Sequence, residues 1–98
     1  MTATSSHPVH PRVSVIVPVY NDRDVLSICL DALVHQTFPA SDFEVLVVDN
    51  GSTEPLGDLP ARFPKVRFES ESKPGSYAAR NRGILCSRGQ MIAITDAD

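Results

Sequence analysis

Four short runs of apolar residues along the chain predict four β-strands. The first two, 13–19 and 43–48, are almost entirely apolar and rich in β-branched residues. Such runs are typical of strands covered on both faces, as in the parallel sheets of α/β proteins. Residues 65–69 alternate in polarity and predict a third strand nearer a sheet edge, and 91–95 predict a fourth, buried strand.

Between these runs the apolar residues recur at helical spacing. After Asn21 or Asp22 as a capping residue, the first predicted helix runs to about Gln36, with apolar positions at Leu26, Cys29, Leu30, Leu33 and Val34. Prolines leave room for only a short helix at 59–63. Ser76 is the candidate cap of a third helix, which continues through Ala79, Ile84 and Leu85 and is ended by Gly89.

The alternation of strand and helix predicts an α/β fold with helices on the faces of a mostly parallel sheet, a three-layer, Rossmann-like arrangement. Residues 1–12 have no periodicity and contain two prolines, so we expect a flexible leader before a single domain at 13–98. His7 and His10 in that leader suit a solvated tail better than a metal site.

Composition and charge argue against several classes of function. A net charge of -3 provides no basic stripe for a duplex, which argues against nucleic acid as a partner. Cys29 and Cys86 lie among apolar residues without zinc-type spacing, so we expect reduced, buried thiols and a cytoplasmic protein. No apolar run reaches the roughly 18 residues of a membrane span, and the first residues lack a signal peptide's apolar stretch.

Polar residues follow three of the predicted strands. They are Tyr20, Asn21 and Asp22 after the first, Asp49 and Asn50 after the second, and Asp96 and Asp98 after the fourth. Because ligands of open α/β sheets bind outside the carboxyl ends of the strands, we expect these groups to converge on one site. The carboxylates suit Mg²⁺ or Mn²⁺, and Lys73, Arg80, Arg82 and Arg88 are candidate partners for a phosphate group.

In this order the motifs closely resemble the amino-terminal half of the family 2 glycosyltransferases, which have the GT-A fold. The resemblance is carried by VSVIVPVYN at 13–21, QT at 36–37, EVLVVDNGST at 44–53, GSYAARNRGI at 75–84 and DAD at 96–98. It covers nearly everything beyond the leader. It implies a nucleotide-binding sheet in the order 3-2-1-4, with the first and fourth strands adjacent at the point where strand order reverses.

The resemblance also implies roles for particular residues around a nucleotide diphosphate sugar, with a UDP-sugar favoured. Pro18, Val19, Tyr20 and Asn21 would line the base pocket, Asp49 would bond the edge of a uracil-like ring, and Gly51 belongs to the same turn. Asn50 stands where many relatives have a second Asp, which leaves the choice of base open. Lys73, Gly75 and Arg80 would border the diphosphate and sugar. Asp96 would reach the ribose or donor sugar, and Asp98, with Asp96 beside it, would bind Mn²⁺ or Mg²⁺.

The implied reaction is transfer of the sugar to an acceptor hydroxyl by direct displacement, with inversion. Relatives place the catalytic base and acceptor pocket in the later half, so no catalytic residue is assigned here and the base is expected beyond Asp98. We therefore expect a donor-binding half, truncated after the Asp-x-Asp pair and inactive alone, with low metal affinity. The longer protein is expected in the cytoplasm or at the cytoplasmic face of the membrane, with an acceptor glycan, lipid or protein that the sequence does not identify.

Two alternatives from other classes stay open. A nucleotidyltransferase also uses an α/β sheet with paired carboxylates, but it normally has a glycine- and lysine-rich loop where this chain has Pro18, Val19, Tyr20 and Asn21. The second alternative is a non-catalytic module that self-associates through an open sheet edge. An uncovered fourth strand also favours a homo-oligomer in either case.

Overall fold

The computed structural model describes residues 11–35, 43–53 and 55–95. Its elements follow the chain as strand β1 (Val13–Val19), helix α1 (Arg23–Val34), strand β2 (Phe43–Asp49), helix α2 (Leu59–Arg62), strand β3 (Arg67–Ser70), helix α3 (Ser76–Cys86) and strand β4 (Met91–Ile94). All seven predicted elements are present in the predicted order. The observed ends of β3 and of the helices differ from the predicted ends by a few residues, because local periodicity locates the ends of an element poorly.

The strands form one sheet in the order β3-β2-β1-β4, and every neighbouring pair is parallel. β1 pairs with β2 over its whole length, from Val13 opposite Phe43 to Val19 opposite Asp49. β4 pairs with β1 from Met91 opposite Val13 to Ile94 opposite Ile16. The sheet order 3-2-1-4 is therefore confirmed, and β3 lies at an edge as its alternating pattern indicated.

Helices cover both faces of the sheet, which makes three layers. On one face α1 and α2 pack over β1 and β2, in a core that includes Val17, Val47, Leu26, Leu30 and Leu59. On the other face α3 packs over the sheet, and Ala79 joins Ile16 and Val48. The side chains of one strand alternate between these two cores because successive residues of a strand point to opposite faces.

Gly83 contributes to the second core by having no side chain. A Cβ at this buried position would lie 3.0 Å from Cγ1 of Ile16 and 3.1 Å from its Cδ1. Helix α3 can thus approach β1 closely enough to cover Ile16, which is fully buried. The apolar pattern of the sequence did not reveal this contact, since a glycine carries no hydrophobic signal.

Three predictions about burial are wrong. All four residues of β4 are exposed, with Met91 at 67% and Ile92 at 42%, because β4 is an edge strand that no described helix covers. Val34 is 43% exposed at the end of α1, and at the end of α3 Ile84 is 41% exposed and Leu85 81%. These last turns extend beyond the part of the sheet that they cover.

The predicted helix caps also differ in detail. Asp22 occupies the N-cap position of α1, but its side chain makes no capping hydrogen bond, and the backbone oxygen of Asp22 accepts from Leu26 N at 2.9 Å instead. Helix α3 begins at Ser76, and its N-cap residue is Gly75, whose φ of 107° lies outside the range that L side chains favour. The prediction of Ser76 as the cap is therefore wrong by one residue.

Cys29 and Cys86 are free thiols in α1 and α3, and both are half-buried rather than fully buried. Burial raises the pKa of the Cys29 thiol. Within the described residues, none of the helices has the length and hydrophobicity needed to cross a bilayer.

Candidate functional site

The loops that follow β1 and β2 are joined by a crossed set of hydrogen bonds at the carboxyl edge of the sheet. Oδ1 of Asp49 accepts from the backbone N of Ser52 at 3.2 Å and also from the Ser52 hydroxyl, in a short contact. The same hydroxyl oxygen accepts from Asn21 N at 2.8 Å, and Oδ1 of Asn21 accepts from Thr53 N at 2.9 Å. The two loops therefore form one connected surface.

Backbone geometry explains why these loops contain Asn and Gly. Asn21 has a φ of 50°, in the left-handed region that Asn tolerates better than most residues, and Gly51 has a φ of 74°. The turn from Asp49 to Ser52, in which an Asp side chain bonds a following backbone N–H, is a common use of Asp. Gly51 thus supplies the positive φ of this turn.

A third loop is joined to the same edge by Asn50. Nδ2 of Asn50 donates to the backbone oxygens of Glu71 at 3.1 Å and Lys73 at 2.6 Å. The backbone N of Asn50 donates to Val19 O at 2.8 Å, and Glu71 N donates to Asp49 O at 2.9 Å. The segment between β3 and α3 is thereby held against the ends of β1 and β2.

The residues expected around a ligand differ in how accessible they are. Tyr20 is 60% exposed, whereas the side chains of Pro18 and Val19 are buried, Val19 within the core under α1. Gly51, Lys73 and Gly75 are exposed, and Arg80 is half-buried on α3. Of the segment Pro18–Tyr20, therefore, Tyr20 is the residue whose side chain is open to solvent at this edge.

The expected metal ligands are not among the residues that the structure describes. Asp96 and Asp98 lie outside the described residues, which end at Thr95, whose N donates to Ile16 O at 3.0 Å beside β1. Within the part of the chain that the structure describes, no three His, Cys, Asp or Glu residues are grouped so as to hold a metal ion. The convergence of Asp22, Asp49, Asp96 and Asp98 thus stays a prediction.

Sequence reasoning did not identify several residues that shape this edge. Ser52 and Thr53 belong to a motif of the family resemblance, but the sequence does not indicate that they connect the β2 loop to Asn21. Glu71 was not singled out, although its Oε2 accepts from Lys73 N at 2.9 Å. The Asp-x-x-Ser spacing of 49–52 signals the local turn, whereas the contacts between loops have no signal in sequence spacing.

A second polar cluster lies at the amino end of the sheet, around the carboxylate of Glu44. Its Oε2 accepts from the Ser14 hydroxyl at 2.6 Å and from Arg88 N at 2.6 Å, and its Oε1 accepts from Arg67 Nη1 at 2.9 Å. The Ser14 oxygen in turn accepts from Gly89 N at 2.8 Å. This cluster ties the turn between α3 and β4 to β1 and β2.

The environment of Glu44 changes its acidity. Burial by itself would raise the pKa of the Glu44 carboxyl, but the hydrogen bonds from Ser14, Arg88 N and Arg67 and the charge of Arg67 outweigh it. The pKa of Glu44 is therefore lowered. Because the cluster lies at the end of the sheet opposite the crossed loops, we interpret it as structural.

An apolar cavity of about 680 Å³ lies beside β4 on the α1 face of the sheet. It is lined mainly by side chains of β1, α1 and β4, among them Val13, Val15, Cys29, Leu33, Phe43, Met91 and Ala93. None of the residues expected to bind a ligand lines it. It is a consequence of the uncovered β4 and not part of the polar site.

An open parallel α/β sheet with three interconnected loops at the carboxyl ends of its strands is the arrangement in which proteins of the doubly wound class bind their ligands. Comparison with known proteins identifies the family within that class. The sequence profile of "Glycosyl transferase family 2" matches residues 14–98. The chain therefore belongs to glycosyl transferase family 2, a family of enzymes, and the nucleotidyltransferase alternative is set aside.

Individual relatives agree with this assignment. The chain is 45% identical over 94 residues to "Glycosyltransferase AglE" of Haloferax volcanii, covering 90% of this chain and 31% of AglE. Among solved structures, residues 1–349 of TarS from S. aureus superpose with a TM-score of 0.81 at 28% identity, covering 89% of this chain and 27% of that one. The mannosyltransferase PcManGT from Pyrobaculum calidifontis, in complex with GDP-Man and Mn²⁺, superposes with a TM-score of 0.79 at 33% identity. The match covers 91% of this chain and 28% of that one.

TarS has also been solved with a bound nucleotide sugar. Its complex with UDP-GlcNAc matches this chain with a TM-score of 0.74 at 30% identity, over 89% of this chain and 26% of that one. The fold is thus the GT-A fold, as the resemblance implied. The chain spans about a third of AglE and about a quarter of the TarS and PcManGT chains that it matches.

Proposed function

We propose that this chain forms the donor-binding part of a glycosyltransferase that transfers a sugar from a nucleotide diphosphate sugar to an acceptor hydroxyl. The observation that carries the proposal is the carboxyl edge of the GT-A sheet, where the loops after β1, β2 and β3 are joined by Asp49, Asn50, Ser52 and Asn21. Complexes of structural relatives with UDP-GlcNAc and with GDP-Man support this class of ligand.

The residues proposed to contact the donor are those that the sequence predicted at this edge. Tyr20 is the exposed aromatic candidate for the base, and Asp49 the candidate for the edge of a uracil-like ring, which favours UDP-sugars. Lys73 and Gly75 belong to the loop that leads into α3 and Arg80 lies on α3, and we assign them to the diphosphate and sugar. The charge of Lys73 and Arg80 would partly offset that of the diphosphate.

The donor set at the end of the chain suits a divalent cation. Asp96 and Asp98 supply carboxylate oxygens, which are the ligands that Mn²⁺ and Mg²⁺ prefer, and they follow β4 in the sequence. The Mn²⁺ in the PcManGT complex supports a metal of this kind. When bound, the cation would stabilise negative charge on the diphosphate.

The complete reaction is proposed for the longer protein. We propose direct displacement with inversion, with the base and the acceptor pocket in the part of the protein that corresponds to the remaining two thirds of a relative such as AglE. On this basis the present chain binds donor without completing transfer. Robust transfer to an added acceptor by this chain alone would contradict that part of the proposal.

We also propose that the longer protein works in the cytoplasm or at the cytoplasmic face of the membrane, which the two free cysteines support. Fractionation of cells that produce the full-length protein, with protease protection of its membrane fraction, tests this. Recovery in a compartment outside the cytoplasm would contradict it.

Calorimetric titration of the chain with UDP-GlcNAc and GDP-Man, each with Mn²⁺, Mg²⁺ or chelator, tests donor binding. We expect heat of binding that depends on the metal, and we expect Asp49→Asn to weaken binding of the UDP-sugar by about tenfold, the loss typical of a hydrogen bond to a charged group. Asp98→Asn should remove the metal dependence.

Asp31→Asn is the matched control, because Asp31 is exposed on α1, away from the crossed loops, and undergoes the same chemical change. Circular dichroism establishes that each sample is folded. If a folded wild-type chain gave no heat with either donor under any metal condition, the proposed donor-binding function would be wrong.

A further inference from the structure

Asn50 lies at the junction of β1, β2 and the β3–α3 loop. Its backbone N donates to Val19 O at the end of β1, and it directly follows the last residue of β2. Its side chain donates to the backbone oxygens of Glu71 and Lys73, at 3.1 Å and 2.6 Å. One short side chain therefore sets the position of the β3–α3 loop relative to β1 and β2.

The chemistry of these contacts requires an amide. Both partners are carbonyl oxygens, which only accept hydrogen bonds, and the NH₂ group of Asn50 has two hydrogens to donate to them. An ionised Asp at this position would have no hydrogen to donate and would bring its oxygen lone pairs towards two carbonyl oxygens. The departure from a second Asp is thus explained by the neighbouring backbone, without reference to a ligand.

The loop that Asn50 holds leads directly into the proposed diphosphate region. Glu71 N donates to Asp49 O at 2.9 Å, and Oε2 of Glu71 accepts from Lys73 N at 2.9 Å. Two residues beyond Lys73, Gly75 caps the start of α3 with a φ of 107°. The carbonyl of Lys73, bonded by Asn50, is therefore part of the segment that positions Lys73, Gly75 and the first turn of α3.

We propose that Asn50 is a positioning residue that orders the β3–α3 loop for the diphosphate side of the donor. Both amide hydrogens are engaged by carbonyls of that loop, so the NH₂ group serves to hold the loop in place. This inference rests on the proposed donor-binding function. It gives Asn50 a role on the diphosphate side of the donor, whichever base is bound.

Measuring the donor affinity of Asn50→Asp and Asn50→Ala as a function of pH tests the inference. At pH 8 we expect Asn50→Asp to weaken binding of UDP-GlcNAc and of GDP-Man by about tenfold or more, because the loop loses two donated hydrogen bonds. As the pH falls through the pKa of the introduced carboxyl, protonation gives it an O–H that donates to one carbonyl, so affinity relative to wild type should recover in part. Asn50→Ala has no donor at any pH and should not recover.

Several neighbouring groups determine where this recovery occurs. The two carbonyl oxygens and the carboxylates of Asp49 and Glu71 raise the pKa of the introduced carboxyl, whereas the cation of Lys73 lowers it. The ordinary pKa of Asp is about 3.9, so affinity is measured down to about pH 4, and an Asn50→Asp that recovers no more than Asn50→Ala there would contradict the inference. Gln90→Glu is the control, since it also adds an acidic group but lies in the exposed α3–β4 turn.

Hydrogen exchange of the ligand-free chain separates this inference from the proposed function. If wild type binds neither donor, the proposed function fails, but the amides of Lys73 and Gly75 still report on the loop. Faster exchange there in Asn50→Asp, with Gln90→Glu unchanged, supports the positioning role. Unchanged exchange would overturn it, as would unchanged affinity of Asn50→Asp at pH 8 for a donor that wild type binds.

Discussion

At the scale of single residues, several described polar side chains are hydrogen-bonded to groups of elements that are distant in the sequence. Ser14, fully buried in β1, donates to Glu44 and accepts from Gly89 N, and Glu44 accepts from Arg67 and Arg88 N. Buried polar groups are costly unless they are hydrogen-bonded, and this cluster satisfies its members mutually. Its contribution to the stability of the native structure is therefore largest while Glu44 is ionised.

Glu44→Gln should lower the free energy of unfolding by about 1 to 3 kcal/mol at pH 7, the range for hydrogen bonds to a charged group. The pKa of Glu44 in the folded chain is lowered from its ordinary value of 4.5, so its contribution is fully present above about pH 4.5. As the pH falls through the folded pKa, protonation removes that contribution. The difference between wild type and variant should therefore shrink in acid.

Urea unfolding of wild type and Glu44→Gln between pH 7 and pH 3 measures this difference. Glu69→Gln is a suitable control, because Glu69 is 3.8 Å from Arg67 and belongs to an edge strand. We expect that variant to change stability by a few tenths of a kcal/mol. A difference for Glu44→Gln that stays constant down to pH 3 would contradict the ionised role.

At the scale of elements, the carboxyl edge of the sheet is organised by contacts between loops. Asn21 in the β1–α1 loop and Ser52 and Thr53 in the β2–α2 loop exchange hydrogen bonds across 31 and 32 positions of sequence. These bonds combine two short connections into one surface. Asn21 contributes both its left-handed backbone and its side-chain oxygen, and substitutions can separate the two contributions.

Asn21→Gly keeps the φ of 50° accessible and removes the oxygen that accepts from Thr53 N. We expect faster hydrogen exchange at the Thr53 amide and a loss of UDP-GlcNAc affinity of a few fold, because the β2 loop is less ordered before binding. Asn21→Asp keeps an acceptor oxygen and a residue type that tolerates this backbone, so it should retain the protection of Thr53. Equal exchange in both variants would show that the side chain does not order this loop.

At the scale of the whole molecule, the sheet is covered well on the β2 side and poorly at β4. Met91, Ile92 and Ile94 are 67%, 42% and 43% exposed, and β4 has β1 as its one neighbour among the described strands. An uncovered apolar edge strand tends to pair with another chain. We therefore expect the chain to self-associate through this edge.

Solution scattering or light scattering over a range of concentrations measures that association. We expect an average mass above the monomer at high concentration, reduced by Met91→Lys because a cation on the edge strand opposes pairing. Ile28→Lys is the matched control, since Ile28 is 70% exposed on α1, away from β4. A monomeric mass at every concentration would contradict the prediction.

The sequence by itself determined the order and type of all seven elements, the parallel core strands and the family. Apolar runs such as Val13–Val19 report burial on both faces directly, and Gly51 and Asn21 report backbone conformations that few other residues adopt. These are local properties, because side-chain spacing and allowed φ values depend on the residue and its immediate neighbours. The motifs that define the family are likewise contiguous blocks of residues.

Only the tertiary structure decided which polar groups meet and which apolar groups stay exposed. Ser14 meets Gly89 across 75 positions, and Asn50 meets Lys73 across 23, because the sheet order brings distant segments side by side. β4 has the composition of a buried strand but is exposed, since burial depends on what packs against an element and not on its own residues. The role of Asn50 is decided in the same way, by two carbonyl oxygens that belong to another loop.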